Sequence, residues 1–95
     1  MRRLPKYRPP TSPGDMLKSE FLEPLNMSQA EFARRCKVKP KVINEICQGK
    51  RAVTARTSII MSEVLGTSYD YWLGLQMDLD LWHEMQEFSK KKKAS

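Results

Sequence analysis

The sequence predicts a small all-helical domain built around a helix-turn-helix. Its 95 residues suffice for one modest core and leave no room for a second domain. Apolar residues recur at helical spacing, and Ser, Thr, Pro and Gly stand where helices would begin and end. Two of the predicted helices, separated by a three-residue connection, lie in the densest block of positive charge. Together these observations favour five helices, with the second and third forming the hairpin.

Composition divides the chain into three parts. Residues 1–11 are rich in Pro and Arg, which disfavours a helix and predicts a flexible basic arm. Residues 12–88 are predicted to form the helix-turn-helix domain together with a C-terminal helix. Residues 89–95 contain four consecutive lysines and are predicted to be a disordered tail.

The first two helices have recognisable caps. Ser12 can cap a helix that carries Pro at its first position and ends before Pro24, with Leu17 and Phe21 on its buried side. Ser28 and Glu31 match the S-x-x-E capping box of the second helix. Four of its residues are expected on one side, with Ala33 at the point where two helices approach closely: Ala30, Phe32, Ala33 and Cys36.

The third helix follows the connection at residues 37–39, begins at Pro40 and is ended by Gly49. At 100° per residue its side chains separate into two groups. The predicted inward group is Val42, Ile43, Ile46 and Cys47. The predicted outward group, which we call the polar strip, is Lys41, Asn44, Glu45 and Gln48.

Thr54 is predicted to cap a fourth helix that Gly66 ends, and Ser68 to cap a fifth beginning at Tyr69. The fourth helix has Ile59, Met61, Val64 and Leu65 as its apolar residues. Trp72, Leu75, Leu79 and Trp82 recur at helical spacing along the fifth. A second stripe, Leu81, Met85 and Phe88, exceeds what one small core can cover. It indicates either an ordinary exposed helix face or an interface with a twin chain.

Charge is strongly segregated. Between Arg34 and Arg56 there are eight basic residues and one acid, whereas residues 57–89 contain six acids and no Lys or Arg. A polyanion such as a phosphate backbone suits the basic block. The acidic half would then face away from it or toward a basic partner. The alternative is an ordinary helical core with a solvated basic face.

A hairpin whose second helix exposes a polar strip matches the geometry that places a helix in the major groove of double-stranded DNA. We expect the polar strip to read base edges: Lys suits guanine, Asn and Gln suit adenine, and Glu accepts from cytosine. Phosphate contacts are expected from side chains at helix starts and in the following loop, namely Gln29, Lys39, Lys50 and Arg51. A symmetric dimer would place two third helices about 34 Å apart and predict an inverted-repeat site.

Other kinds of site are not indicated. Cys36 and Cys47 lack metal-ligand spacing and are interpreted as reduced, half-buried residues, as in a cytoplasmic protein. His83 has no ligand-type neighbours, so no metal site is expected. Neither a nucleophile motif nor a Gly-rich phosphate loop is present, and we expect neither catalysis nor a cofactor. No apolar run is long enough to span a membrane.

Several segments together resemble the HigA family of antitoxins: PPTSPGDML at 9–17, FLEPL at 21–25, SQ at 28–29, FARR at 32–35, INEI at 43–46, GKR at 49–51, LGTS at 65–68 and WLGLQ at 72–76. The P-G-x-x-L and W-L-x-L-Q segments are not needed for DNA binding in general. The resemblance implies a five-helix fold like that of phage repressors, a homodimer, and binding to the promoter of its own operon. It also implies neutralisation of a HigB-type toxin that cuts mRNA. Such a toxin would be basic and would suit the acidic half.

The chain departs from that family at a few positions. Lys37 stands where the family usually has Gly, which would cost about 1 kcal/mol if φ is positive there. Lys39, Pro40 and Lys41 replace the usual start of the third helix, so the operator sequence does not carry over. Arg56 replaces an acid, and Ile60 places an apolar residue on an expected outer face.

Two alternatives of different class remain open at this point. One is a helix-turn-helix transcriptional regulator with no toxin partner. The other is a protein-interaction inhibitor whose DNA affinity is incidental. A toxin-sized reading frame beside the gene would distinguish the antitoxin from the first. Comparison of promoter and scrambled DNA would test the second.

Overall fold

A computed structural model describes residues 8–94, with side chains described to Lys91. Within that range the chain forms five helices and no strand, which confirms the predicted all-helical class. They are α1 (Pro13–Met16, continuing as a π-helical segment Leu17–Leu22), α2 (Gln29–Cys36), α3 (Pro40–Cys47), α4 (Ala55–Leu65) and α5 (Tyr71–Ala94). Most of the predicted arm, residues 1–7, lies outside the described residues.

Three of the predicted caps are confirmed. The side chains of Ser12, Ser28 and Thr54 each accept a hydrogen bond from the backbone N–H three residues later, over 3.0 to 3.2 Å. The prediction for Ser68 was wrong, because α5 begins at Tyr71, whose N–H donates to the Ser68 carbonyl. The carbonyl groups of Ser68 and Tyr69 are instead bound by side chains of α4.

That attachment is a network of hydroxyl groups that the sequence analysis missed. Ser58, fully buried, donates to the Tyr69 carbonyl over 2.7 Å and accepts from the Leu73 N–H over 3.0 Å. Ser62 lies within 2.7 Å of the Ser68 carbonyl and accepts from the Thr67 hydroxyl. Thr67 in turn accepts from the Trp72 indole over 3.1 Å. The network therefore fixes where α5 begins.

The core lies between the hairpin, α1, α4 and the first turns of α5. Its buried apolar residues are Leu17, Leu22, Phe32, Ala33, Cys36, Ile43, Ile46, Cys47, Val53, Met61 and Trp72. Ala33 is fully buried, as predicted for a close approach. Ala30 is exposed, contrary to prediction, because it lies on the face of α2 opposite Phe32 and Cys36. On α4, Ile60 packs against the core and its neighbour Ile59 is exposed, the reverse of what we expected.

Gly14 lies at a close approach of α1 to α3. A Cβ atom added there would lie 2.2 Å from the Ile46 carbonyl oxygen and 2.8 Å from the Cys47 Cα. Both atoms belong to the backbone of α3, so they cannot move aside as a flexible side chain would. The first turn of α1 therefore rests directly on the last turn of α3.

Helix α5 extends past the core, and its 24 residues span about 36 Å. This gives the protein its elongated shape of 50 × 26 × 24 Å. The predicted tail boundary at residue 89 was wrong, since the helix continues to Ala94. Lysine has a high helix propensity, and its positive charge is favourable near a helix C-terminus. In addition, Nζ of Lys90 lies 3.8 Å from Oε1 of Glu87. None of the helices between residues 8 and 94 has the length and apolarity needed to cross a membrane.

Candidate nucleic-acid interface

The turn between α2 and α3 is tight and left-handed. Lys37 has φ +58°, the conformation that would favour Gly at this position. The N–H groups of Lys37 and Val38 donate to the carbonyls of Arg34 and Ala33, each over 3.1 Å, and so close the end of α2. This turn, together with burial of Ala33, sets the angle at which α3 leaves α2.

Helix α3 presents the predicted polar strip. Ile43, Ile46 and Cys47 are buried against the core, and Val42 is partly buried. Lys41, Asn44 and Gln48 are exposed, and Glu45 is partly buried.

Asn44 is linked to the start of α2. Its Nδ2 donates to Oε1 of Gln29 over 3.2 Å, across the hairpin. Asn44, which we predicted to read a base, is thus hydrogen-bonded to Gln29, which we predicted to contact a phosphate. Gln29 itself is partly buried.

Glu45 and Arg51 form an ion pair between the polar strip and the loop that follows α3. Nε and Nη2 of Arg51 donate to Oε1 of Glu45 over 2.9 and 2.7 Å. The Arg51 guanidinium holds the pKa of Glu45 below its ordinary value. The structure therefore joins a predicted base reader to a predicted phosphate contact.

The loop after α3 carries two of the predicted phosphate contacts and is anchored from α5. The Lys50 N–H donates to the Glu45 carbonyl over 2.8 Å, and Gly49 has φ +74°. Further along, the Val53 N–H donates to Oε1 of Gln76 over 2.9 Å. Sequence reasoning gave Gln76 no role, although it lies in the W-L-x-L-Q segment. The side chains of Lys39 and Lys50 are exposed on either side of α3.

The positive charge of this region is smaller than the sequence suggested. Arg34 and Arg35 are both bound to the Glu31 carboxylate, and their hydrogen bonds lower its pKa to about 2. With Arg51 on Glu45, three of the eight basic residues have acidic partners within the protein. The other five are exposed: Lys37, Lys39, Lys41, Lys50 and Arg56.

The residues predicted to form a partner interface lie on the distal half of α5. Leu81, Met85 and Phe88 are 41%, 55% and 72% exposed. Met77, 44% exposed, stands one turn before Leu81 and lengthens the stripe. His83 is exposed on the same helix. Among the described side chains, no group of three His, Cys, Asp or Glu could hold a metal ion.

Comparison with known proteins shows that this chain is similar to helix-turn-helix proteins. The helix-turn-helix family matches residues 19–72. The HTH-type transcriptional regulator YbaQ of Escherichia coli (strain K12) is 36% identical over 75 residues, which cover 79% of this chain and 66% of YbaQ. Antitoxin HigA-1 of Vibrio cholerae is 31% identical over 86 residues, or 90% of this chain and 81% of that protein. The solved structure of Pseudomonas aeruginosa antitoxin HigA with the higBA promoter superposes with a TM-score of 0.83 at 29% identity, covering 90% of this chain and 94% of that one.

Proposed function

Because the chain belongs to the helix-turn-helix family, in its HigA-type branch, we propose that it binds operator DNA sequence-specifically and represses its own operon. The observation that carries the proposal is the polar strip on α3, held in place by the turn at Lys37 and by the Gln29–Asn44 hydrogen bond. The similar Pseudomonas aeruginosa protein has been solved with its promoter, which supports a DNA partner.

In this proposal α3 enters the major groove with Lys41, Asn44 and Gln48 toward the base edges. Gln29, Lys39 and Lys50 contact phosphates on either side and fix the register without reading sequence. Glu45 and Arg51 belong to the same surface, but each is held by the other in the free protein.

We further propose a homodimer formed through Leu81, Met85 and Phe88, whose exposure on α5 leaves a continuous apolar stripe. A symmetric pair would place two copies of α3 about 34 Å apart on one side of the duplex. The operator would then contain an inverted repeat. Sedimentation or light scattering of the full chain and of Leu81→Glu tests the stripe, since a charge there should give monomers.

The DNA proposal is tested by titrating the native promoter fragment and a scrambled fragment across a salt series. We expect a preference of about 10³ or more for the promoter. Asn44→Ala should relax the preference at one base position. Lys50→Ala should weaken binding to all sequences and flatten the salt dependence. Equal affinity for both fragments would refute specific reading, and identical behaviour of the two variants would refute the division of roles.

Neutralisation of a HigB-type mRNA-cleaving toxin is the second part of the proposed function. Its support is the similarity to HigA-1 and the acidic C-terminal half, which would attract a basic partner. The alternative is a transcriptional regulator with no toxin, and the regulatory role in it is supported by the similarity to YbaQ, an HTH-type transcriptional regulator. Expression of the neighbouring reading frame alone and together with this chain decides between them. Growth arrest relieved by the chain supports the antitoxin, and absence of arrest supports the regulator.

A further inference from the structure

The ion pair between Glu45 and Arg51 lies on the proposed DNA-binding surface, where it joins the polar strip to the loop after α3. Glu45 is the only acid between Arg34 and Arg56 in the sequence. Its side chain is 26% accessible and that of Arg51 is 45% accessible, so both charges can be reached from solvent. An acid on a surface that binds a polyanion is unfavourable unless it has a specific use there.

While the pair is closed, Arg51 is a poor phosphate ligand. A phosphate that approaches the guanidinium also approaches the carboxylate bound to it, and the two anions repel each other. The pair therefore presents no net charge to DNA. Arg51 must leave Glu45 before it can neutralise a phosphate in full.

When Arg51 leaves, the Glu45 carboxylate loses its two hydrogen bonds. Against the edge of a base pair it can regain a donor from an amino group, N4 of cytosine or N6 of adenine. Opposite guanine O6 or thymine O4 it faces another acceptor and remains without a donor, which is unfavourable in a desolvated interface. The energy of releasing Arg51 thus depends on the base beside Glu45.

We propose that Glu45 and Arg51 act as one specificity-determining pair, in which Arg51 passes from Glu45 to a phosphate only where a base amino group replaces it on the carboxylate. This inference rests on the proposed operator binding. It makes Glu45 a residue that lowers affinity for wrong sequences, which is a recognised way to obtain specificity. Arg51 is then a phosphate contact on the operator and not on other DNA.

The test compares wild type, Glu45→Gln, Arg51→Ala and the double variant on the native promoter fragment and on scrambled DNA. Salt is varied from about 50 to about 200 mM, over which one phosphate contact changes affinity about 3- to 4-fold. Glu20→Gln serves as the control, because it changes net charge equally from an exposed position on α1 outside the polar strip.

On scrambled DNA we expect Glu45→Gln to bind more tightly and to gain about one phosphate contact in its salt slope, whereas Arg51→Ala should bind more weakly than wild type because its Glu45 carboxylate is left unpaired against the phosphates. On the promoter, the salt slope of Arg51→Ala should show the loss of about one phosphate contact. The preference of Glu45→Gln for the promoter should fall about 5-fold or more. The double variant should return to the wild-type slope on scrambled DNA.

If Glu45→Gln keeps the wild-type salt slope on scrambled DNA, Arg51 already contacts a phosphate there and the coupling is refuted. An equal gain in Glu20→Gln, which would be an effect of net charge alone, also overturns it. In these cases the wild-type preference for the promoter would still support the proposed function. A wild type without that preference would overturn both.

Discussion

Replacement of Gly14 by Ala tests the contact on which the position of α3 depends. The added Cβ would lie 2.2 Å from the Ile46 carbonyl oxygen, about 1 Å short of an ordinary contact, with Cys47 Cα at 2.8 Å. Since both neighbours are backbone, α1 must move away from α3 as a unit. Overpacking of this kind costs about 1–3 kcal/mol, and the rigid neighbours place this case at the upper end. A domain of this size should then lose about 12–24 °C in Tm.

The matched control is Gly66→Ala, where no atom lies within 4 Å of the added Cβ but φ is +74°. Its cost is backbone strain alone, about 1–2 kcal/mol. Both variants change the unfolded chain in the same way, so Gly66→Ala shows what an added methyl group costs where there is space but φ is positive. Calorimetric or circular-dichroism melts give both values. A Gly14→Ala protein as stable as wild type would refute the close approach of α1 and α3.

Three further predictions concern stability. Lys37→Gly should raise the free energy of unfolding by about 1 kcal/mol in thermal melts, because Gly adopts the φ of +58° without strain; an equal gain in Lys37→Ala would contradict this reason. Gln76→Met should lower it by about 1–3 kcal/mol in urea titrations by leaving the Val53 N–H without its acceptor, and a near-neutral result would contradict the anchoring role. Glu31 has a folded pKa of about 2 against an ordinary 4.5, so its ion pairs stabilise the protein above about pH 4.5 and this contribution is lost as pH falls toward 2. Glu31→Gln should therefore be less stable than wild type at neutral pH and converge with it near pH 2; a constant gap would contradict the assignment.

Much of the fold was predictable because it depends on local chemistry. Ser12, Ser28 and Thr54 cap helices through bonds to residues three positions away, a spacing that is visible in the sequence. The cap predicted at Ser68 was wrong because the Ser68 carbonyl is bound by the side chain of Ser62 on the preceding helix. Tertiary contacts of this kind override a local cap signal.

The polar strip was predictable for the same reason, since helical periodicity alone assigns Lys41, Asn44 and Gln48 to one face. The pairing of Glu45 with Arg51 was not, because it depends on how the loop after Gly49 turns back toward α3. The role of Gln76 was still harder to predict. It bonds a residue 23 positions earlier, and only the packing of α5 brings them together.

The two buried cysteines allow opening of the α2–α3 hairpin to be measured by thiol labelling. Cys36 and Cys47 are 6% and 4% exposed, and burial raises the pKa of Cys36 to about 11 and that of Cys47 above its ordinary value. Alkylating reagents attack thiolates, so the native protein should resist maleimide at neutral pH. Labelling would require α2 or α3 to separate from the interior, and its rate under native conditions would follow the population of such openings. Labelling of the two native cysteines would therefore measure how often α2 or α3 opens, without any engineered probe.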